Sequence, residues 1–203
     1  MEILSCKGGV GVFLKISNPI RTKTGRRLFL LLLCSLFSFQ SANSRAYDVS
    51  KENLQAALLY KFIKFIDWPC STFEQSPDFI TIGVYGDGRL YESITKLGGK
   101  QIRGRTLVVK KFHRLDNIEF THILFISPSK RDNLKRVLNK IGDNNTITVS
   151  SYEGFAATGG VINFITIKNK LTFEINPSAA RRAGITISSK LLELARIVKD
   201  ENP

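Results

Sequence analysis

From Phe79 onward, short apolar runs alternate with helical patterns, and that alternation constrains the chain more than any other feature. Phe79 to Tyr85 reads as a buried strand, Gly86-Asp87-Gly88 as a tight turn, and Arg89 to Leu97 as a short helix. Thr106 to Phe112 and His122 to Ile126 are two further apolar strands. Ser129 opens a helix in which Leu134, Val137, Leu138 and Ile141 share one face, closed by Gly142, and Thr146 to Ser150 is a fourth strand. Strands without a polar face, separated by helices, build a mainly parallel sheet that must be covered on both sides. Val161 to Lys168 and Leu171 to Ile175 flank Asn169 and read as a hairpin. The expected fold is therefore an α/β single-domain sandwich with a mainly parallel sheet, an antiparallel edge hairpin and helices on both faces.

The segments flanking this core are helical in pattern. Ser50 is suited to cap a helix from Lys51 to about Ile66, stopped by Trp68-Pro69. Only Gln55, Lys61, Lys64 and Asp67 interrupt its apolar surface, so it is expected to be buried on most sides or to supply a dimer face. Asn176 and Pro177 open another helix, which Gly184 closes. Ser188 is expected to cap a last helix carrying Leu191, Leu192, Leu194, Ala195, Ile197 and Val198.

The amino terminus is of a different kind. Leu28 to Phe39 is a short apolar stretch preceded by Arg21, Lys23, Arg26 and Arg27 and followed by small residues up to Ala46. A basic region, a short apolar region and small residues at a cut site describe a secretory signal peptide. The apolar stretch is well below the roughly 20 residues that span a bilayer. Cleavage is expected after Ala46, or else after Ala42, with residues 1–20 an extension upstream of the signal. Large Leu33 before Cys34 argues against a lipoprotein. Residues 1–46 are thus assigned to extension and signal, and 47–203 to the α/β domain.

Export changes what the charge means. The chain has 30 basic and 17 acidic residues, a net +13, but residues 1–46 hold seven of the bases and one of the acids, leaving 23 and 16. The remaining +7, in an exported protein, makes nucleic acid an improbable partner. Of three cysteines only Cys70 follows the signal, so no intrachain disulfide can form. A lone cysteine in an oxidising compartment is buried, free and reactive, or paired between chains, and burial is the favoured reading.

Chemistry-bearing motifs are scarce. His113 and His122 have no companions at metal-ligand spacing, and no nucleophile–base pair is recognisable, so neither enzyme activity nor a cofactor is expected. Gly86-Asp87-Gly88 follows a strand as a phosphate cradle would, but it lacks a third glycine or a lysine and suits an ordinary turn better. Lys100 to Arg114 carries six basic residues and no acid, which fits a solvated strand more readily than an anionic partner. Two late segments are richer. Ser151 to Gly160 is a loop whose glycines allow close backbone approach, and Asn176 to Lys190 concentrates polar side chains.

Three stretches carry a resemblance to a known family. Ala56-Ala57-Leu58-Leu59-Tyr60-Lys61-Phe62-Ile63-Lys64-Phe65-Ile66-Asp67-Trp68-Pro69 resembles the opening helix of the YfiR-like periplasmic proteins. Gly159-Gly160-Val161-Ile162-Asn163-Phe164 and the run from Phe173 to Val198 are similar to that family too. The resemblance covers residues 50–199 and implies an exported, dimeric α/β protein that binds without catalysing. It implies a periplasmic protein that holds an inner-membrane diguanylate cyclase inactive through the cyclase's periplasmic sensor domain, lowering cyclic di-GMP and biofilm formation. Some relatives carry intrachain disulfides, and this chain departs from them in retaining Cys70 alone.

Two functions remain in view. In the first, the protein restrains a diguanylate cyclase. The expected contacts are Arg181, Arg182, Ser188, Ser189 and Lys190, with Trp68 and Phe155 as the aromatic anchors that interfaces favour. In the second, it is a periplasmic small-molecule sensor that reports occupancy to another receptor or kinase, with Gly86, Asp87, Gly88 and Asn176 as ligand-binding candidates. Neither reading involves stable membrane insertion.

Overall fold

A computed structural model describes residues 50–74 and 76–199, which belong to one compact unit spanning Val49–Pro203. The signal-peptide assignment, with Cys34, lies outside the described residues. Among these no helix is long and apolar enough to cross a membrane.

The chain opens with helix α1 (Lys51–Phe62), a 3-10 turn (Ile63–Phe65) and strand β1 (Ile66–Asp67). A second 3-10 turn over Cys70–Phe73 leads to β2 (Phe79–Tyr85), α2 (Arg89–Thr95), β3 (Gln101–Ile102) and β4 (Arg105–Phe112). Then follow β5 (Ile123–Ile126), a 3-10 segment (Pro128–Asn133), α3 (Leu134–Ile141), β6 (Ile147–Ser150), β7 (Ile162–Ile167) and β8 (Lys170–Ile175). Helix α4 (Pro177–Arg182), β9 (Thr186–Ile187), α5 (Ser189–Leu192) and β10 (Arg196–Ile197) complete it.

Eight strands form one sheet in the order β10-β8-β7-β6-β5-β2-β4-β3. The five central strands β4, β2, β5, β6 and β7 are all parallel. β8 returns antiparallel along β7, from Ile162 opposite Ile175 to Ile167 opposite Lys170. Lys168 and Asn169 at its tip both have positive φ, the conformation that a two-residue hairpin turn requires. β1 and β9 make a separate antiparallel ribbon.

Alternation along the strands feeds two cores. Ile123 and Phe125 of β5 join the larger one, packed under α1, α2 and α4, while Leu124 and Ile126 point to the smaller one with α3 and Phe155. The sandwich with helices on both faces is therefore as expected.

Several local expectations need correcting. α1 is buried along one face only, through Gln55, Ala56, Leu59 and Phe62, while Leu54 is 40% exposed. Leu58 and Tyr60 pack against the core only in part, and Leu54 and Ala57 are exposed. The α-helical backbone ends at Phe62, before the turn into β1. The last helix stops at Leu192, because the chain turns to lay β10 beside β8, where Val198 N–H donates to Ile175 O at 2.9 Å. Sheet-edge hydrogen bonds thus replace the helix that apolar spacing suggests. Cys70 is exposed, since its 3-10 turn buries none of its residues.

Candidate functional site

One concave part of the polar surface lies where the sheet's chain order reverses. β2 is the first strand of the parallel set; β4 follows on one side and β5 on the other. Ligand crevices in open α/β sheets form at such a switch point, outside the C-terminal strand ends. Here the Gly86–Gly88 turn after β2 meets the Ser127–Ser129 segment after β5. Ser127 Oγ donates to Asp87 O at 2.7 Å, and Gly86 N–H donates to Phe112 O at 3.0 Å. Gly86 has φ of 100°, and a Cβ there would lie 2.8 Å from Lys130 Cγ and 2.9 Å from Ser127 Cβ. Glycine is therefore required by the close packing of the two loops.

A cleft of about 200 Å³ opens at this point, lined by the start of α1, the Asp87–Tyr91 segment and Ser127. Lys51 and Arg89 are exposed and have no ion-pair partner among the described residues. Asp87, by contrast, pairs with Lys111 at 2.8 Å, and that hydrogen bond and charge hold its carboxyl below the usual range. Gln55, 3% exposed, forms part of the wall, and its Nε2 is buried without a partner among the described residues. Asp87 and Gly88 line this cleft, and Gly86 adjoins them in the same turn. The sequence reading missed Gln55, Lys51 and Arg89, although a glutamine among the apolar residues of α1 was a visible signal.

Asn176 is elsewhere. It is fully buried: Oδ1 accepts from Ala179 N–H at 3.0 Å, and Nδ2 donates to Ala156 O at 2.8 Å. It caps α4 and ties that helix to the Ser151–Gly160 loop, so it does not stand open to a ligand.

The expected partner surface divides similarly. Arg181, Arg182, Ser189 and Lys190 are exposed and Ser188 half-buried. Arg182 lines a cleft with Leu138 and Gly159, whereas Ser188 is held next to the β1–β9 ribbon by its N–H bond to Phe65 O at 2.9 Å. Both aromatic anchors are core residues instead. Phe155 is completely buried, in ring contact with Tyr152 at 5.3 Å, and a Cβ on Gly160 would clash with its Cε1. The close approach that Gly160 permits is thus to Phe155 of the same loop. Trp68 is 9% exposed and lies edge-on to His122, ring centroids 5.8 Å apart. Apolar area outweighs any role these rings could have at the surface.

His122 is a second residue that spacing did not single out. It sits at the start of β5 between Trp68, Phe73 and Phe120, and its Nδ1 accepts from Thr81 N–H at 3.0 Å. Burial, with a smaller contribution from the Arg105 charge, lowers its pKa to about 4. In the basic run, Arg103, Lys110, Lys111 and Arg114 are each paired with an acid: Asp67, Glu119, Asp87 and Asp116. That agrees with a solvated strand and leaves little uncompensated charge for a partner.

Among curated proteins none matches this sequence. Two solved structures are similar in fold. A conserved domain protein from Vibrio cholerae O1 biovar El Tor is 12% identical with a TM-score of 0.50, over 74% of this chain and 60% of that one. An ABC domain from Streptococcus pneumonia, solved in complex with L-Trp, is 12% identical with a TM-score of 0.49, over 70% and 60%. The chain thus spans 60% of the length of each. A family match runs from residue 52, the second residue of α1, to residue 196 at the start of β10. It takes in both cores, the cleft and the late polar segment, and on it the chain belongs to the YfiR/HmsC-like family.

Proposed function

We propose that this protein is an exported periplasmic regulator that restrains an inner-membrane diguanylate cyclase by binding its periplasmic domain. The observation that carries this reading is the family match over residues 52–196, in a family associated with cyclic di-GMP regulation. A homodimer and cleavage of the signal near Ala46 belong to the same proposal. Restraint is differential binding: a regulator that prefers the inactive cyclase shifts its population only by the difference in affinity. Moving the cyclase from 1:99 to 99:1 inactive needs about 10⁴-fold preference.

We place polar contacts on Arg181, Arg182, Ser188, Ser189 and Lys190, supported by the exposure of both arginines, Ser189 and Lys190. Trp68 and Phe155, buried in the two cores, are not among these contacts. Deleting the gene should raise cellular cyclic di-GMP, and deleting the neighbouring cyclase as well should abolish the rise. Arg181→Glu with Arg182→Glu should reproduce the deletion while the protein still accumulates in the periplasm. Unchanged cyclic di-GMP on deletion would overturn the restraint, and wild-type repression by the double variant would overturn the placement.

A further inference from the structure

Three features lie outside the proposed partner surface: the switch-point cleft, the aromatic cluster around His122, and the outer apolar residues of β7 and β10. The first combines charged walls with a buried amide that lacks a partner among the described residues. We propose that the cleft between the Gly86–Gly88 turn and Ser127 binds a small carboxylic acid carrying a hydroxyl or amino group. This goes beyond restraint of a cyclase and does not depend on it.

The charge balance indicates the class of ligand. Lys51 and Arg89 bring two positive charges with no ion-pair partner among the described residues, Glu52 brings one unpaired negative charge, and Lys111 already neutralises Asp87. Two cations beside one carboxylate suit a ligand with a single carboxylate group and at most one net negative charge. A dianion such as a phosphate monoester would meet Glu52 with a charge in excess. The same carboxylate is suited to accept from a hydroxyl or ammonium on the ligand.

Gln55 supplies the second, independent observation. Its amide nitrogen is buried without a partner among the described residues, on a helix face otherwise packed into the large core, a state that disfavours folding unless something bonds to it. The residue forms part of the cleft wall, and rotation about its last bond can present either end of the amide to a ligand. Leu90 and Phe125 add apolar wall, so the ligand's body need not be wholly polar. At about 200 Å³ the cleft is smaller than the roughly 300–1,000 Å³ sites of drug-sized ligands, which favours a metabolite of amino-acid size over a nucleotide.

The test is a thermal-shift screen of the purified protein against the twenty amino acids, lactate, gluconate and glucuronate. Lactamide, as an uncharged isostere, and inorganic phosphate are run in parallel, and hits are followed by titration calorimetry. At a hundredfold excess over Kd, a binder should raise Tm by about 5 °C or more. We expect at least one carboxylic acid to do so, with its amide isostere and phosphate inactive. A hit among amino acids assigns an ammonium to Glu52, and one among hydroxy acids a hydroxyl. Arg89→Gln and Lys51→Gln, both exposed, should each weaken binding about tenfold, while Lys170→Gln on β8 should not change it. No shift with any carboxylic acid, a phosphate shift as large, or a Kd indifferent to Arg89→Gln and Lys51→Gln would each overturn the proposal. Binding is measured without a partner, so failure here leaves the restraint reading untouched, and the reverse also holds.

Discussion

The two ends of the central sheet are finished in opposite ways. At the C-terminal end, the loops after β2 and β5 are held apart from α1 by a cleft with charged walls, and glycine is required where those loops meet. The loop after β6 is fastened there from below by Phe155 and by the Asn176 bond to Ala156. At the N-terminal end, Trp68, Phe73 and Phe120 surround His122 and close the sheet with aromatic rings. One end therefore places charged side chains around a cleft, and the other sets aromatic rings around a buried histidine. The difference teaches that buried polar atoms have distinct meanings at the two ends. His122 has lost its charge to burial, whereas Gln55, whose amide nitrogen has no partner among the described residues, borders a cavity with two cations likewise unpaired among them.

The largest effect is expected from Phe155→Ala. Removing a fully buried ring should cost about 3–5 kcal/mol and free the loop that walls the C-terminal end. Denaturant unfolding would measure the loss, and a loss below 1 kcal/mol would mean that the loop is held by Asn176 alone.

Next in size is the acid sensitivity of the other end. The folded state holds the His122 pKa at about 4, below its unfolded value near 6.5. Between these values the unfolded chain binds the proton and the folded one does not. The stability is therefore complete above pH 6.5 and declines as pH falls toward 4, by about 3 kcal/mol over the window. Melting curves at pH 7 and pH 4.5 would report it. His122→Gln, which retains an acceptor for Thr81 N–H, should flatten the dependence, and an equally steep curve for that variant would assign the acid loss to other groups.

The smallest effect is expected from Gly86→Ala. Positive φ and contacts under 3 Å with Lys130 and Ser127 should together cost about 1–3 kcal/mol, while the N-terminal end retains its packing. Hydrogen exchange would show whether the protection lost is confined to the loops after β2 and β5. Loss spread evenly over both ends would remove the distinction between them.

Much of the fold was legible in the order of residues. The alternation after Phe79 led to the parallel strands, and Asn169 marked the hairpin turn, because local patterns of period two and fixed turn chemistry act over a few residues. Asn176 with Pro177 announced a helix start for the same reason, and the cap is present. What such patterns could not distinguish was a cap from a ligand group, since both uses need the same side-chain oxygen.

The remaining features depend on residues distant in sequence. Leu194 and Ile197 have helical spacing, yet that part of the chain joins the edge of β8, where hydrogen-bonding groups on another segment were available. Phe155 resembled a surface anchor within its glycine-rich loop until Gly160 and α3 enclosed it. Gln55 looked like part of a polar stripe, and only the folding of α1 over the C-terminal end of β2 placed it in a cleft. By itself, then, the sequence determined the α/β class, the succession of elements and the family. Tertiary structure alone decided which polar residues face solvent, which face a cavity and which are spent inside. Burial and desolvation are set by the whole surroundings of a side chain, and those surroundings are assembled from every part of the chain.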